Sequence, residues 1–87
     1  MRNKTSHDAI RAYLNVLLRE GRYGEFVEGV GHVARGHGIA SVSSATGLGR
    51  ESLYKALSKD SKPRFETICK VLESMGLALS IDPNRER

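Results

Sequence analysis

Apolar residues recur at helical spacing in five stretches of this chain, and most of the stretches end at a glycine. In the first stretch the apolar side chains fall three and four residues apart, which places them on one face of a helix. These residues are Ile10, Tyr13, Leu14, Leu17 and Leu18. The same pattern predicts helices over 6–20, 23–35, 39–47, 50–58 and 63–75. We therefore expect an all-α, five-helix domain.

The third and fourth predicted helices are short and are separated by the turn Gly47-Leu48-Gly49. Glycine suits such a turn because it adopts left-handed backbone angles without a steric penalty. The side chain of Leu48 is expected to pack inward at the turn, and Leu53 and Leu57 are expected to point inward from the fourth helix. Two short helices joined by a tight glycine turn are typical of a helix-turn-helix, which the sequence predicts at about 39–58.

The last part of the chain combines a helix with an alternating segment. The fifth helix is expected to face the core through Phe65, Ile68, Cys69, Leu72 and Met75. Leu77, Leu79 and Ile81 then alternate with small residues, which predicts a short C-terminal strand. A lone strand needs a partner chain, either a second copy or another protein. A tail packed on the helices is an equal alternative.

The length of the chain limits what it can do. A chain of 87 residues forms one small core and has little room for an enzymatic cleft. We expect a single domain over 6–81, with flexible ends at 1–5 and 82–87. No apolar run is long enough to span a bilayer, so no membrane partner and a cytoplasmic location are expected.

Candidate catalytic and metal-binding residues are sparse. His32 and His37 are five residues apart and point to different sides of a helix, and His7 lies far from both in sequence. Cys69 falls on an apolar helix face with no evident base beside it. Gly29 and Gly31 lack the preceding strand and third glycine of a phosphate loop, and close approach of a neighbouring helix is a reason for them. We predict no enzyme activity, no metal and no cofactor.

The outward face of helix 50–58 has the chemistry of a DNA-reading surface. Arg50 and Lys55 can donate hydrogen bonds to guanine edges or phosphates, and polar side chains lie beside them at Ser52 and Tyr54. Further basic residues follow where a helix-turn-helix usually meets the DNA backbone, namely Lys59, Lys62 and Arg64. The alternative is a solvated helix with a few charges, and spacing alone does not decide between the two.

Four segments resemble a known family: "YLNVLLREG", "HVARGHGI", "ATGLGRESLYKALS" and "KPRFETICKVLESMGLALSI". They are similar to addiction-module antidote proteins, HigA-like type II antitoxins with an Xre-type, lambda-repressor-like helix-turn-helix. The resemblance covers about His7 to Ile81. It implies a protein that neutralises a RelE/ParE-type or HigB-type toxin and, as a homodimer, represses its own operon by binding double-stranded operator DNA.

The resemblance also implies residue roles. The groove-facing set is Gly49, Arg50, Glu51, Ser52 and Lys55, with Tyr54 nearby, and the phosphate-facing set is Ser41, Lys59, Lys62 and Arg64. It assigns no toxin contacts; the first helix is our expectation for them, because its apolar stripe exceeds what a small core needs.

This chain departs from the family pattern at several positions. Ala40-Ser41 stands where relatives usually have Ser-Gln, Gly49 replaces a serine cap, and Ser61 and Lys62 replace a Gly-Asn-like turn. The lost serine removes a cap worth about 1 kcal/mol. Two alternatives therefore stay open: a protein-interaction module that captures a toxin without binding DNA, and a solitary Xre-type repressor.

Overall fold

A computed structural model describes residues 2–84 of the chain, with side chains from His7 onward. Its five helices confirm the predicted all-α class. Helix α2 packs against α1, α3 and α5, and α3 also packs against α4 and α5. The helices are α1 (Arg2–Arg19), α2 (Tyr23–His37), α3 (Ile39–Thr46), α4 (Arg50–Ala56) and α5 (Phe65–Ser74).

The helix boundaries differ modestly from the predicted ones. Helix α1 begins at Arg2, whereas the sequence predicts a start near Ser6, and α5 begins at Phe65, two residues after the proline at 63. The single domain over 6–81 and the flexible ends stay predictions. Met1 and residues 85–87 lie outside the described residues.

One apolar core joins all five helices. Val30, Val42, Leu53 and Val71 are fully buried at its centre, and each comes from a different helix. The surrounding buried residues are Leu14, Leu17, Phe26, Ala34, Leu57, Ile68, Leu72 and Met75. Most of these fall on the predicted helix faces, so the helical spacing identified the core.

Two aromatic residues lie outside this core, although the sequence predicts them on its inward faces. Phe65 is 71 % exposed and Tyr13 is 46 % exposed. Phe65 is the first residue of α5, where the preceding loop does not cover it. Val71, which the spacing argument missed, is fully buried on the same helix.

The predicted C-terminal strand is wrong for the part of the chain that the structure describes, because residues 2–84 contain no strand. A strand requires a ladder of backbone hydrogen bonds to a second strand, and this stretch provides none. Leu77 and Leu79 pack on the core instead, and the Leu77 amide donates to the Leu72 carbonyl at 2.9 Å. The alternative of a tail packed on the helices describes the segment better.

Helix α2 approaches its neighbours closely at glycines, as expected for Gly29 and Gly31. A Cβ atom at Gly31 would lie 2.7 Å from the carbonyl oxygen of Leu57, just after α4. A Cβ atom at Gly24, two turns earlier on α2, would lie 3.0 Å from the carbonyl oxygen of Lys59. At Gly29 the neighbour is the Tyr13 hydroxyl of α1, at 3.0 Å. Gly24 and Gly31 thus let α2 touch the backbone at the end of α4.

Candidate nucleic-acid interface

The turn between α3 and α4 is fixed by hydroxyl groups as well as by glycine. Gly47 has a φ of 78°, in the left-handed region. The Thr46 hydroxyl donates to the Val42 carbonyl at 2.8 Å and accepts from the Leu48 amide at 3.2 Å. The Ser43 hydroxyl donates to the Leu48 carbonyl at 2.6 Å. Both polar backbone groups of Leu48 are therefore satisfied while its side chain packs against the core.

Helix α4 is anchored from one side. Leu53 is fully buried and Leu57, just after the helix, is 5 % exposed, so the core holds α4 at its middle and at its end. Its N-cap, Gly49, makes no side-chain capping bond, which agrees with the departure from a serine cap. The opposite side of α4 is left to solvent.

The six predicted base-facing residues are all exposed. They are Gly49, Arg50, Glu51, Ser52, Tyr54 and Lys55. The four predicted phosphate-facing residues are exposed as well: Ser41 lies on α3, and Lys59, Lys62 and Arg64 lie in the loop between α4 and α5. Nine of these ten residues therefore lie between Gly49 and Arg64, in α4 and the segments on either side of it, and Ser41 lies on α3, the helix that packs against α4.

The loop after α4 is held by its serines. The single proton of the Ser61 hydroxyl is shared between the Ala56 carbonyl at 2.6 Å and the Ser58 carbonyl at 2.9 Å. The Ser58 hydroxyl donates to the Lys55 carbonyl at 3.1 Å. These bonds satisfy carbonyls that the end of α4 leaves without intrahelical partners. Lys59 and Lys62 therefore extend from a loop whose conformation is fixed by these hydrogen bonds.

Arg11, Arg19 and Arg22, on α1 and in the following turn, form ion pairs, in contrast to four cations of α4 and its loop. Arg11 pairs with Asp8, and Arg19 pairs with Asp82. Arg22 pairs with Glu25 and Glu20, and the hydrogen bonds from its guanidinium to these carboxylates raise its pKa above the ordinary value. The same bonds lower the pKa of Glu25, with a weaker contribution from Lys59.

No ion pair with any described residue engages Arg50, Lys55, Lys62 or Arg64. Their positive charges face solvent, and residues 50–64 carry five cations against the two carboxylates of Glu51 and Asp60. Such a local excess of positive charge attracts anions, of which a nucleic-acid backbone is densely charged.

Arg35, in the last turn of α2, adds a cation that the sequence argument missed. Its guanidinium carbon lies 5.1 Å from the centre of the Tyr54 ring, a cation–π distance. Arg35 therefore stands beside the exposed side of α4, although it belongs to a helix outside the α3–α4 pair. Nothing in the local spacing of residues signals this contact, because it depends on how α2 and α4 pack.

The described residues contain no group of three histidine, cysteine or acidic side chains that could hold a metal ion. His32 and His37 are exposed, and Cys69 is half-buried on α5. Across the same residues no helix has both the length and the apolarity to cross a membrane.

Comparison with known proteins identifies the family of this chain. Residues 2–83 match a family model described as "Probable addiction module antidote protein". An uncharacterized protein of Haemophilus influenzae is 33 % identical over 81 residues, which cover 93 % of this chain and 84 % of that protein. No solved structure gives a significant match. The chain belongs to the family of probable addiction module antidote proteins.

Proposed function

We propose that this protein is a DNA-binding antitoxin of a type II toxin-antitoxin module. It neutralises a RelE/ParE-type or HigB-type toxin and, as a cytoplasmic homodimer, represses its own operon. The antidote family supports the toxin partner and a binding role rather than an enzymatic one. The DNA-binding part rests chiefly on one observation: α4 and its following loop carry four exposed cations, Arg50, Lys55, Lys62 and Arg64, that form no ion pair with a described residue.

In this proposal residues 39–58 form a helix-turn-helix of the lambda-repressor-like type, and α4 is the recognition helix. Arg50 and Lys55 reach base edges in the major groove, with Glu51, Ser52 and Tyr54 beside them and Gly49 allowing close approach. Ser41, Lys59, Lys62 and Arg64 bind phosphates and set the position of the domain on DNA. Arg35, which lies next to Tyr54, adds a further cation to this phosphate-binding set.

The toxin-binding surface is assigned to α1. Tyr13, on the apolar stripe, is 46 % exposed, and Val16, outside the stripe, is 48 % exposed, so this helix leaves apolar side chains outside the core. Exposed apolar side chains of this kind favour contact with another protein. This assignment leaves α4 available for DNA, so one chain can bind both partners.

The direct test is to titrate the purified protein with its own upstream DNA and with scrambled DNA at two salt concentrations. Binding is monitored by fluorescence anisotropy. Tighter binding to the upstream DNA that weakens as salt rises supports the proposal. Equal binding to both sequences contradicts a role in operator recognition.

A second candidate is a toxin-capture module that does not bind DNA. Its best support is Ala40-Ser41, which stands where relatives usually have Ser-Gln and so lacks a side chain expected to contact phosphate. Failure to bind either DNA, together with capture of the protein encoded next to this gene, would establish this candidate. A solitary repressor is distinguished by the absence of a small basic protein in the adjacent reading frame.

A further inference from the structure

An apolar groove with two exposed aromatic rings lies at the junction of α2, the loop after α4, and α5. Tyr23, the first residue of α2, is 64 % exposed, and Phe65, the first residue of α5, is 71 % exposed. Both line the groove, together with Phe26 and Ile68, which are buried and form its floor. The groove has a volume of about 520 Å³. We call this feature the Tyr23–Phe65 groove.

Positive charge borders the same groove. Lys59 and Lys62 line it, and Arg64 immediately precedes the second ring. All three are exposed, and none forms an ion pair with a described residue. Among the described lining residues Asp60 supplies the one carboxylate, and the nearby carboxylate of Glu25 is already hydrogen-bonded to an arginine in the turn before α2. A ligand of the groove should therefore combine an apolar body with negative charge.

The pairing of flat rings with cations favours one kind of occupant. A second copy of the groove would bring like charges together, which is unfavourable. Double-helical DNA offers phosphates, but its bases are paired and stacked inside the helix, so their faces cannot reach the rings. An acidic protein segment satisfies the charge, although aliphatic side chains would serve its apolar groups as well as rings do. In a single-stranded nucleic acid every nucleotide carries both a phosphate and a base with a free π-face, and aromatic platforms beside cations bind such strands.

The groove also continues the cationic surface of α4. Lys55 lies exposed on α4, and Lys59 and Lys62 follow it along the chain. The start of α2 is held next to this loop, because a Cβ atom at Gly24 would lie only 3.0 Å from the Lys59 carbonyl oxygen. A strand with bases in the groove can therefore place its neighbouring phosphates along the loop towards α4.

We propose that the Tyr23–Phe65 groove binds single-stranded nucleic acid. Its bases stack on Tyr23 and Phe65, and its phosphates contact Lys59, Lys62 and Arg64. This function goes beyond operator recognition, because it requires unpaired bases and no particular base sequence. The same three cations are assigned to operator phosphates, so a single strand and the operator duplex compete for the protein.

The test measures binding of the full-length protein to labelled strands of about twelve nucleotides, within the roughly 4–16 nucleotides that such sites cover. One strand is oligothymidine and one is oligouridine, so DNA and RNA are compared. A third strand has the deoxyribose-phosphate backbone without bases. The wild-type protein should bind at least one of the base-containing strands at least about fivefold more tightly than the abasic strand, because stacking adds to the attraction between charges.

Phe65→Leu keeps an apolar side chain at the start of α5 but removes the flat ring. It should lower affinity for the preferred base-containing strand at least about fivefold, and should leave binding to the abasic strand and to the operator duplex unchanged. Tyr23→Leu carries the same expectation, whereas Tyr23→Phe keeps a ring and should bind as the wild-type protein does. Lys62→Ala should weaken binding to all three strands by a similar factor.

Ile81→Ala is the matched control, since Ile81 is an apolar residue that is 97 % exposed and lies outside the groove lining. It should bind every strand as the wild-type protein does. Circular dichroism verifies that all variants are folded.

Several results would overturn the inference. Equal binding of the wild-type protein to abasic and base-containing strands would mean that charge alone holds them. Loss of operator binding in Phe65→Leu would place this ring in the duplex contact. Unchanged strand binding in both leucine variants, with loss of toxin capture, would assign the groove to an acidic segment of a protein. The proposed function fails separately, because a protein that binds single strands through the rings but not its operator would support the inference and contradict operator recognition.

Discussion

The contact between α2 and the end of α4 leaves no room for a side chain at Gly31, so a larger residue there should destabilise the fold. Replacing Gly31 with alanine places a Cβ atom 2.7 Å from the Leu57 carbonyl oxygen and 3.1 Å from the Leu57 Cβ atom. Both neighbours belong to the main chain or to its first side-chain atom, so neither can rotate away. The helices themselves must separate.

Two opposing contributions set the size of the effect. Alanine stabilises a helix interior by about 1 kcal/mol relative to glycine. Forcing an extra carbon into a well-packed interior costs about 1–3 kcal/mol, and a contact with backbone belongs in the upper part of that range. We therefore expect Gly31→Ala to lower the free energy of unfolding by about 1–2 kcal/mol. In a domain of this size each kcal/mol lowers Tm by about 4–8 °C.

Gly36→Ala is the matched control on the same helix. A Cβ atom at Gly36 meets no atom within 4 Å, and its φ is not positive. Only the helix-propensity contribution remains, so this variant should be as stable as the wild-type protein or about 0.5–1 kcal/mol more stable. Thermal unfolding followed by circular dichroism measures both variants. A Gly31→Ala protein as stable as Gly36→Ala would refute the close contact between α2 and the end of α4.

Three further predictions concern the candidate interface. Arg50→Ala should weaken operator binding by about 1–3 kcal/mol more than binding to random DNA, measured by anisotropy with both duplexes; equal losses would remove Arg50 from base recognition. Lys62→Ala should weaken binding to all sequences and reduce the slope of log K against log salt by about 0.9, whereas Arg11→Ala on α1 should leave the slope unchanged. In a double-mutant cycle, Arg35→Gln and Tyr54→Ala should be coupled by about 0.5–1 kcal/mol in unfolding free energy; additive losses would argue against their contact.

Helical periodicity predicted most of the fold because burial imposes the same spacing on every helix. Leu14, Leu53 and Leu72, for example, were identified from their spacing alone, and each is buried. Periodicity failed at Phe65 because the pattern continues to the first residue of α5, where no neighbouring element covers the side chain. It also failed at residues 77–81, because alternation describes which side a residue faces and not whether a partner strand exists.

The candidate site was predictable to the extent that it is local in sequence. The exposed side of α4 follows directly from the buried positions of Leu53 and Leu57. The contact of Arg35 with Tyr54 depends on the packing of α2 beside α4, so no spacing rule within either helix reveals it. The hydrogen bonds of Ser43 and Thr46 to Leu48 were missed for a related reason, since serine and threonine occur in many solvent-facing helices.

The groups that hold α4 in place are different from the groups that it exposes. The hydroxyls of Ser43 and Thr46 fix the turn, and Leu53 fixes the helix on the core. Residues 50, 51, 52 and 55 contribute to none of these contacts. Those four positions can therefore be randomised together in a library while the scaffold stays constant, which makes the domain suitable for selecting variants with new binding specificities.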